Sequence, residues 1–266
     1  MTPIALTIAG SDSGGGAGIQ ADLKTFAAFG VYGTSAITAL TAQNTQRVVA
    51  IREVDPAFVT AQIDAVLSDF SVGAVKIGML GNAGVVEAVA TALDRRSPPN
   101  VVLDPVFVAS SGECLLTPDA VEVLKRRLMP LARVVTPNLP EAAALLGLPV
   151  AADEEAIRAQ AERLLTLGCQ AVLIKGGHGT GAESIDILFD GGGETRLAAA
   201  RLATRNTHGT GCTLSSAIAA GLAKGDDLAT AVRAAKAFVT AAIAAADRLG
   251  VGRGQGPLHH FHAVSP

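Results

Sequence analysis

The segment 206–213, Asn-Thr-His-Gly-Thr-Gly-Cys-Thr, carries two glycines, three hydroxyl side chains and a thiol just before an alanine-rich stretch. Glycine lets the backbone approach a ligand closely, and a helix beginning here would direct its unpaired N–H groups and its positive dipole end at that ligand. Such a site binds a phosphate or a developing oxyanion. We predict an anion site at Gly209, Thr210 and Gly211, although the segment alone is equally consistent with a tight connection that only begins a helix.

Cys212 lies in the first turn of this predicted helix. A helix N-terminus lowers the pKa of a thiol and favours the thiolate, which can act as a nucleophile or a base. Cysteine is also among the most frequently buried residue types, so an inert thiol is the alternative. A reactive thiol beside a phosphate site indicates phosphoryl transfer.

A second glycine-rich loop, from Gly10 to Gly18, follows the first apolar run and leads into a predicted helix. Its spacing matches neither the dinucleotide-binding pattern Gly-x-Gly-x-x-Gly nor the Walker pattern Gly-x-x-x-x-Gly-Lys-Ser/Thr. The loop could approach a ligand as closely as the segment 206–213, or it could simply begin a helix.

Three further side chains could together recognise a flat nitrogen heterocycle. Asp22 could accept a hydrogen bond from an amino group, Gln43 could satisfy a ring nitrogen, and Met79 could pack against the ring. Taken separately, each has a plainer interpretation: an exposed helix charge, a loop residue and a core side chain. Only the combination predicts an aminopyrimidine site.

Charged and amide side chains also follow three later strand-like runs. Asp104 ends an apolar run, where a carboxylate is costly unless it meets a cation or hydrogen-bond donors. Asn138 and Glu141 could join it as oxygen ligands of hydrated magnesium, but Asn followed three residues later by Glu is also the pattern of a helix capping box. Lys175 ends another apolar run, and we expect it to bind a nucleotide phosphate rather than extend into solvent.

The composition indicates a folded protein that binds small molecules. Its 266 residues are 49% hydrophobic and carry a formal net charge of −3, from 21 basic and 24 acidic residues. This small negative net charge gives no indication of a positively charged surface that would bind nucleic acid or an anionic membrane. The cysteines Cys114, Cys169 and Cys212 lack Cys-x-x-Cys spacing and the N-terminus lacks a signal-peptide pattern, so we expect a cytoplasmic protein without disulfides or structural zinc.

Short β-branched runs alternate with amphipathic stretches, which predicts an α/β fold with a largely parallel sheet in a single domain, 1–266. Strands are predicted near 3–9, 48–53, 74–77, 100–103, 132–136, 171–175 and 185–189. Helices are predicted near 17–29, 56–69, 82–96, 118–128, 138–146, 153–167, 211–223 and 227–249. The glycines at 191–193 are expected to form a hairpin turn. Ligands of such sheets bind beyond the C-terminal ends of the strands, where the candidate residues lie.

Nine segments in a fixed order carry a family resemblance: 6–12, 15–25, 38–45, 76–80, 102–106, 136–142, 175–178, 206–213 and the histidine-rich ending 256–262. On these segments the chain resembles the hydroxymethylpyrimidine/phosphomethylpyrimidine kinases of thiamine biosynthesis, in the ribokinase-like superfamily, nearly from end to end.

The resemblance implies a three-layer αβα sandwich and two successive phosphorylations by ATP with magnesium: of 4-amino-5-hydroxymethyl-2-methylpyrimidine and then of its monophosphate. It also implies a homodimer. The implied substrate contacts are Gly10, Asp22, Gln43, Met79 and the Val106 backbone. The implied anion hole is Gly209, Thr210, Gly211 and Cys212. The implied nucleotide contacts are Lys175 and Thr207, and the implied magnesium ligands are Asp104, Asn138 and Glu141.

Many relatives in the superfamily carry Asp as the base where this chain has Cys212, so the thiol's role is open, as is assistance by a monovalent cation. A pyridoxal kinase-like activity is the alternative among enzymes, because pyridoxine also carries a hydroxymethyl group on a nitrogen aromatic ring; Gln43 and Asp22 favour the aminopyrimidine. A non-catalytic pyrimidine-binding sensor is disfavoured by the presence of Lys175, Glu141 and the complete segment 206–213, which we call the anion segment.

Overall fold

A computed structural model describes residues 1–107, 115–177, 179 and 181–264 of the protein. Cys114 and His178 therefore lie outside the described residues. Nine strands are present in these ranges: β1 (Ile4–Asp12), β2 (Tyr32–Gln43), β3 (Val48–Glu53), β4 (Ala74–Ile77), β5 (Val101–Leu103), β6 (Val134–Val135), β7 (Val172–Ile174), β8 (Glu183–Asp190) and β9 (Gly193–Ala200). They form one sheet in the order β3-β2-β1-β4-β5-β6-β7-β8-β9.

Eight α-helices occur in the same ranges: α1 (Gly18–Ala28), α2 (Pro56–Asp69), α3 (Ala83–Arg96), α4 (Pro118–Arg127), α5 (Leu139–Leu146), α6 (Glu154–Leu165), α7 (Thr210–Ala223) and α8 (Leu228–Ala244). Short 3-10 turns occur at Met129–Leu131 and Ala246–Leu249. The last predicted helix, 227–249, is thus α-helical only to Ala244. Among the described residues no helix is long and apolar enough to cross a bilayer.

The sheet is parallel in its centre and antiparallel at both edges. β1 pairs in parallel with β2 and β4, and the pairing stays parallel through β5, β6 and β7. β3, β8 and β9 run antiparallel to their neighbours. Every residue of β4, β5, β6 and β7 is buried, as expected for strands covered by helices on both faces.

Helices cover the two faces in two separate groups. α2 to α6 pack on one face, around side chains such as Ile63 and Val89. α1, α7 and α8 pack on the other, around Phe26, Ile218 and Val232. The predicted αβα layering is confirmed.

The sequence pattern does not predict β2, the longest of the nine strands. Its residues are mostly small or polar, without the apolar β-branched runs that mark the other strands. Thr34, Ala36 and Thr38 alternate along its buried face. A Cβ atom at Gly33 would lie 2.7 Å from Leu23 Cδ2 of α1, so the small residue allows this helix to pack closely. Tertiary packing, rather than intrinsic propensity, accounts for this strand. The hairpin turn predicted at 191–193 is present between β8 and β9.

Candidate active site

Helix α7 begins within the anion segment, directly after Gly209. The backbone of Gly209 is left-handed, with a φ of 83°. A Cβ atom there would lie 1.9 Å from the Gly16 carbonyl oxygen, so the position requires glycine both for its conformation and for the contact between the two glycine-rich loops. The first helical hydrogen bond runs from the Thr213 amide to the Gly209 carbonyl, at 2.9 Å. The amides of Gly211 and Cys212 therefore precede the helix's own hydrogen bonds, as an anion site needs.

Thr210 and Thr207 form a turn at the edge of this site. The amide and the hydroxyl of Thr210 both donate to the Thr207 carbonyl, at 3.2 and 2.7 Å. Gln255 Nε2 donates to Thr207 Oγ1 at 2.7 Å. The Thr210 amide is thus used within the protein, which leaves Gly211 and Cys212 as the better-placed donors of the predicted anion hole.

The thiol of Cys212 does not have the low pKa expected at a helix N-terminus. Burial raises its pKa to about 11, and the negative charges of Asp22 and Asp104 add to the increase. The charge of Lys76 and a hydrogen bond from the Gly18 amide act in the opposite direction without outweighing burial. The expectation of a thiolate is therefore wrong: the sulfur carries its proton at neutral pH.

Asp22 and Lys76 form a buried ion pair near this thiol. Lys76 Nζ lies 2.9 and 2.8 Å from the two Asp22 carboxylate oxygens, and neither side chain is exposed. The hydroxyls of Thr7 and Ser216 also donate to Asp22, at 2.6 and 2.7 Å. Asp22 is therefore not an exposed helix charge. Its two oxygens accept four hydrogen bonds from three protein groups, so the geometry favours an indirect role rather than direct contact with a substrate.

Asp104 and Lys175 meet beside the anion segment. Lys175 Nζ lies 2.8 Å from Asp104 Oδ1, and Ser215 Oγ donates to Asp104 Oδ2 at 3.2 Å. A Cβ atom at Gly211 would lie 3.3 Å from Lys175 Nζ, which brings this cation next to the helix N-terminus. Burial would raise the pKa of Asp104, but Lys175 and Lys76 lower it below its ordinary value. A negatively charged Asp104 thus holds a positively charged Lys175 beside the N-terminus of α7.

Asn138 and Glu141 form the capping box at the start of α5. Glu141 Oε2 accepts from the Asn138 amide at 2.7 Å, and Asn138 Oδ1 accepts from the Glu141 amide at 2.8 Å. Lys175 Nζ lies 3.8 Å from Glu141 Oε2. Burial raises the pKa of Glu141 to about 7, against the effect of Lys175 and with a further increase from Asp104. The capping interpretation is confirmed.

These oxygen groups fit a magnesium ion in their chemistry. Two carboxylates, Asp104 and Glu141, lie close enough for one to raise the pKa of the other, and a divalent cation would relieve that repulsion. The Asn138 side-chain oxygen already caps α5, so it is the weakest of the three predicted ligands. Among the described residues no group of three His, Cys, Asp or Glu side chains is arranged to hold a metal.

Asp12 organises the loop after β1. Its carboxylate accepts from the amides of Gly14, Gly16 and Ala17, at 2.8, 3.0 and 2.9 Å. His208 Nε2 lies 3.0 Å from Asp12 Oδ2. Burial alone would raise the pKa of Asp12, but these hydrogen bonds lower it overall. Asp12 thereby joins the two glycine-rich loops.

The remaining substrate-binding candidates lie at or just beyond the C-terminal ends of β1, β2, β4 and β5. A Cβ atom at Gly10 would lie 3.0 Å from Met79 Sδ, so glycine makes room for the thioether. The Val106 amide donates to the Asp104 carbonyl at 2.9 Å, so it is engaged within the loop after β5. A cavity of about 820 Å³ opens between β2, β3 and residues 115–117, and Met79 lines it. Gln43 is half-buried at the end of β2.

Sequence reasoning missed three residues of this site: Lys76, Asp12 and His208. Lys76 stands in the segment 76–80, but an apolar strand gives no sign of a partner 54 residues away. Asp12 carries a usable signal, because an Asp among glycines commonly accepts hydrogen bonds from the next backbone amides. His208 lies inside the anion segment, where only the fold reveals its contact with Asp12.

The chain is similar to known kinases in both sequence and structure. Residues 12–259 match the family model for phosphomethylpyrimidine kinase. The chain is 60% identical over 262 residues to a hydroxymethylpyrimidine/phosphomethylpyrimidine kinase of Rhizobium meliloti, with 98% of each protein covered. It is similar to the structure of an ADP complex of Bacillus subtilis pyridoxal kinase, with a TM-score of 0.91, 37% identity and 100% of both chains covered. It is also similar to phosphomethylpyrimidine kinase from Clostridium difficile 630, with a TM-score of 0.81, 43% identity, and 90% of this chain and 99% of that chain covered.

Proposed function

The chain belongs to the phosphomethylpyrimidine kinase family, and we propose that it phosphorylates 4-amino-5-hydroxymethyl-2-methylpyrimidine and then the resulting monophosphate, for thiamine biosynthesis. It is an ATP-dependent kinase. In each reaction an oxygen of the substrate bonds to the γ-phosphorus of ATP, while the bond from that phosphorus to the β–γ bridging oxygen breaks and ADP leaves. The observation that carries this proposal is the meeting of Lys175, Asp104 and the helix N-terminus at Gly211.

Positive charge and backbone amides supply the phosphate side of the site. The amides of Gly211 and Cys212 stabilise the charge on the transferring phosphoryl group, and Lys175 binds the nucleotide phosphates. Asp104 and Glu141 would hold magnesium, with Asn138 nearby. Magnesium bound there would neutralise the negative charge that develops on the phosphate groups. Thr207, in the same segment, contacts the bound nucleotide.

Cys212 acts through its amide and its contact with the substrate rather than as a strong base. A thiol with a pKa of about 11 is a poor acceptor for the hydroxyl proton at neutral pH. Phosphoryl transfer depends mainly on positioning and charge stabilisation, so a neutral thiol is compatible with catalysis. We assign the hydroxyl proton to an oxygen of the transferred phosphoryl group.

On the substrate side, Gln43 pairs with the polar edge of the pyrimidine, while Gly10, Met79 and the Val106 backbone surround the ring. Asp22 acts indirectly, because its two oxygens hold the Lys76 ammonium beside Cys212.

We further propose a cytoplasmic homodimer that associates through the β2–β3 edge. Leu40, Val49 and Ile51 are exposed there, at 48%, 63% and 41%, and a second copy would cover them. The free thiols of Cys169 and Cys212 fit a reducing compartment. Sedimentation velocity tests the dimer: Ile51→Lys is expected to shift the wild-type dimer toward monomer, and a monomeric wild type would contradict the proposal.

ADP release in the presence of ATP, magnesium and each candidate alcohol tests the activity. We expect release with the pyrimidine and with its monophosphate, and much weaker release with pyridoxal. Lys175→Met should lower kcat by about a hundredfold or more, because it removes a charge that stabilises the transition state. Lys125→Met, at a partly exposed lysine of α4 that pairs with Glu122, is the matched control. Release with pyridoxal alone would overturn the substrate assignment.

A further inference from the structure

His208 lies between a carboxylate and the residue assigned to the substrate ring. His208 Nε2 is 3.0 Å from Asp12 Oδ2 and 3.4 Å from Gln43 Nε2. At the other end of the Gln43 carboxamide, Oε1 is 3.1 Å from Thr41 Oγ1, which is itself 3.0 Å from the Ser11 carbonyl oxygen. These groups form one continuous chain of polar contacts.

The number of hydrogens and lone pairs on each group determines which group donates and which accepts along these contacts. The ionised Asp12 carboxylate only accepts, so His208 Nε2 carries a hydrogen and donates it. The single hydroxyl hydrogen of Thr41 goes to the Ser11 carbonyl, which also only accepts. The single Nε2 hydrogen of His208 points at Asp12, and the protonated nitrogen has no lone pair for a Gln43 N–H, whereas a Gln43 oxygen there can share that hydrogen as a second acceptor. Because the two ends of a carboxamide are distinguished by their hydrogen bonds, Oε1 belongs toward His208 and Nε2 toward Thr41.

The His208 ring cannot easily turn away from this arrangement. His208 is buried, with 8% of its surface exposed. A Cβ atom at Gly16 would lie 2.4 Å from His208 Cδ2, so the loop packs directly on the ring. The His208 amide donates to the Gly256 carbonyl at 3.1 Å, which attaches the residue to the C-terminal segment.

We propose that His208, held as a donor by Asp12, is a positioning residue that fixes the Gln43 carboxamide in one orientation and so makes the site specific for a 4-aminopyrimidine over a pyrimidin-4-one. The proposal rests on the proposed function, because that function assigns Gln43 to the ring. In the fixed orientation, one N–H and one oxygen lone pair of the Gln43 carboxamide remain free to bind the substrate ring. Their two positions cannot be exchanged, because Oε1 stays toward His208 and Nε2 toward Thr41.

The two heterocycles need opposite orders of donor and acceptor. A 4-aminopyrimidine presents a ring nitrogen that accepts beside an amino group that donates. A pyrimidin-4-one presents a ring N–H that donates beside a carbonyl that accepts. Binding the second would require the Gln43 carboxamide to turn, which would set its nitrogen against the His208 donor and leave that Gln43 N–H without an acceptor.

The ratio of kcat/KM for the 4-amino substrate to that for its 4-oxo analogue measures this specificity. Thr41→Val removes the hydroxyl at one end of the carboxamide, and Thr41→Ser keeps it. His208→Asn removes the donor at the other end, and His262→Asn makes the same change at a histidine that contacts Phe238 and the His259 carbonyl.

We expect the ratio to fall about tenfold or more in Thr41→Val and His208→Asn, while Thr41→Ser and His262→Asn keep the wild-type ratio. In a Gln43→Met background, His208→Asn should cause no further change, since it acts through Gln43. Equal losses on both substrates in Thr41→Val and His208→Asn, with the ratio unchanged, would overturn the proposal. A wild-type protein inactive on the amino substrate would instead overturn the proposed function.

Discussion

The Lys76 ammonium donates to both carboxylate oxygens of Asp22 with neither side chain exposed to solvent, so β4 and α1 are joined by a fully desolvated ion pair. Such a pair is tolerated because each charge compensates the other and hydroxyls satisfy the remaining lone pairs. It also places a cation where it lowers the pKa of Cys212, although burial of that thiol outweighs the effect.

Breaking this pair from one side should be severely destabilising. Lys76→Met leaves the Asp22 carboxylate buried without a counter-charge, and we expect a loss of about 3–5 kcal/mol in the free energy of unfolding, measured with urea. The double variant Asp22→Leu/Lys76→Met should recover much of the lost free energy of unfolding, because it leaves no unpaired buried charge. Arg95→Met breaks the exposed pair with Asp64 and should cost less than about 1 kcal/mol. Equal losses for Lys76→Met and Arg95→Met would contradict this interpretation.

Alkylation of Cys212 by iodoacetamide should report its raised pKa. In a background with Cys114 and Cys169 replaced by serine, the labelling rate should increase with pH until about pH 11, because the thiolate is the reactive form. Mass spectrometry of the labelled peptide provides the rate. A rate that levels off below pH 8 would instead indicate the low-pKa thiolate that helix position alone suggests.

Gly209 should be intolerant of any side chain. Gly209→Ala places a methyl group 1.9 Å from the Gly16 carbonyl oxygen at a φ of 83°, so the anion segment must shift, and we expect kcat to fall by about a hundredfold or more. Gly225→Ala has a similar φ, of 95°, with nothing within 4 Å. It should cost only about 1 kcal/mol of stability and leave kcat unchanged. Similar kcat values for the two variants would show that contact between the loops does not matter.

Stability should depend on pH through Glu141. Its pKa of about 7 in the folded protein exceeds the ordinary value of 4.5, so folding favours the protonated carboxyl. The stabilisation is therefore complete below about pH 4.5 and is lost as the pH rises to about 7. Glu141→Gln removes the titrating group but can keep the oxygen that accepts from the Asn138 amide. The wild-type minus variant difference in unfolding free energy should decline over this range, and a flat difference would contradict the assignment.

Much of the fold follows from sequence pattern, because apolar β-branched runs and amphipathic stretches alternate and parallel strands place their C-terminal ends together. Asp104 and Lys175 could be placed at that edge for this reason. β2 could not be recognised, since its strand state depends on Gly33 and small residues packing under α1.

The chemistry of the site was less accessible to sequence reasoning. The pKa of Cys212 was predicted from the helix dipole, whereas burial and two nearby carboxylates determine it. The Asp22–Lys76 and Asp12–His208 contacts join residues 54 and 196 positions apart, and pairings of that separation arise only when the chain folds.

The most direct test follows the product of 4-amino-5-hydroxymethyl-2-methylpyrimidine over time by mass spectrometry, in the presence of ATP and magnesium and with pyridoxal in a parallel reaction. The proposed function predicts a monophosphate that appears first and is then converted to the diphosphate, with little pyridoxal phosphate formed. A reaction that phosphorylates pyridoxal while leaving the pyrimidine unchanged, or that stops at the monophosphate, would contradict it.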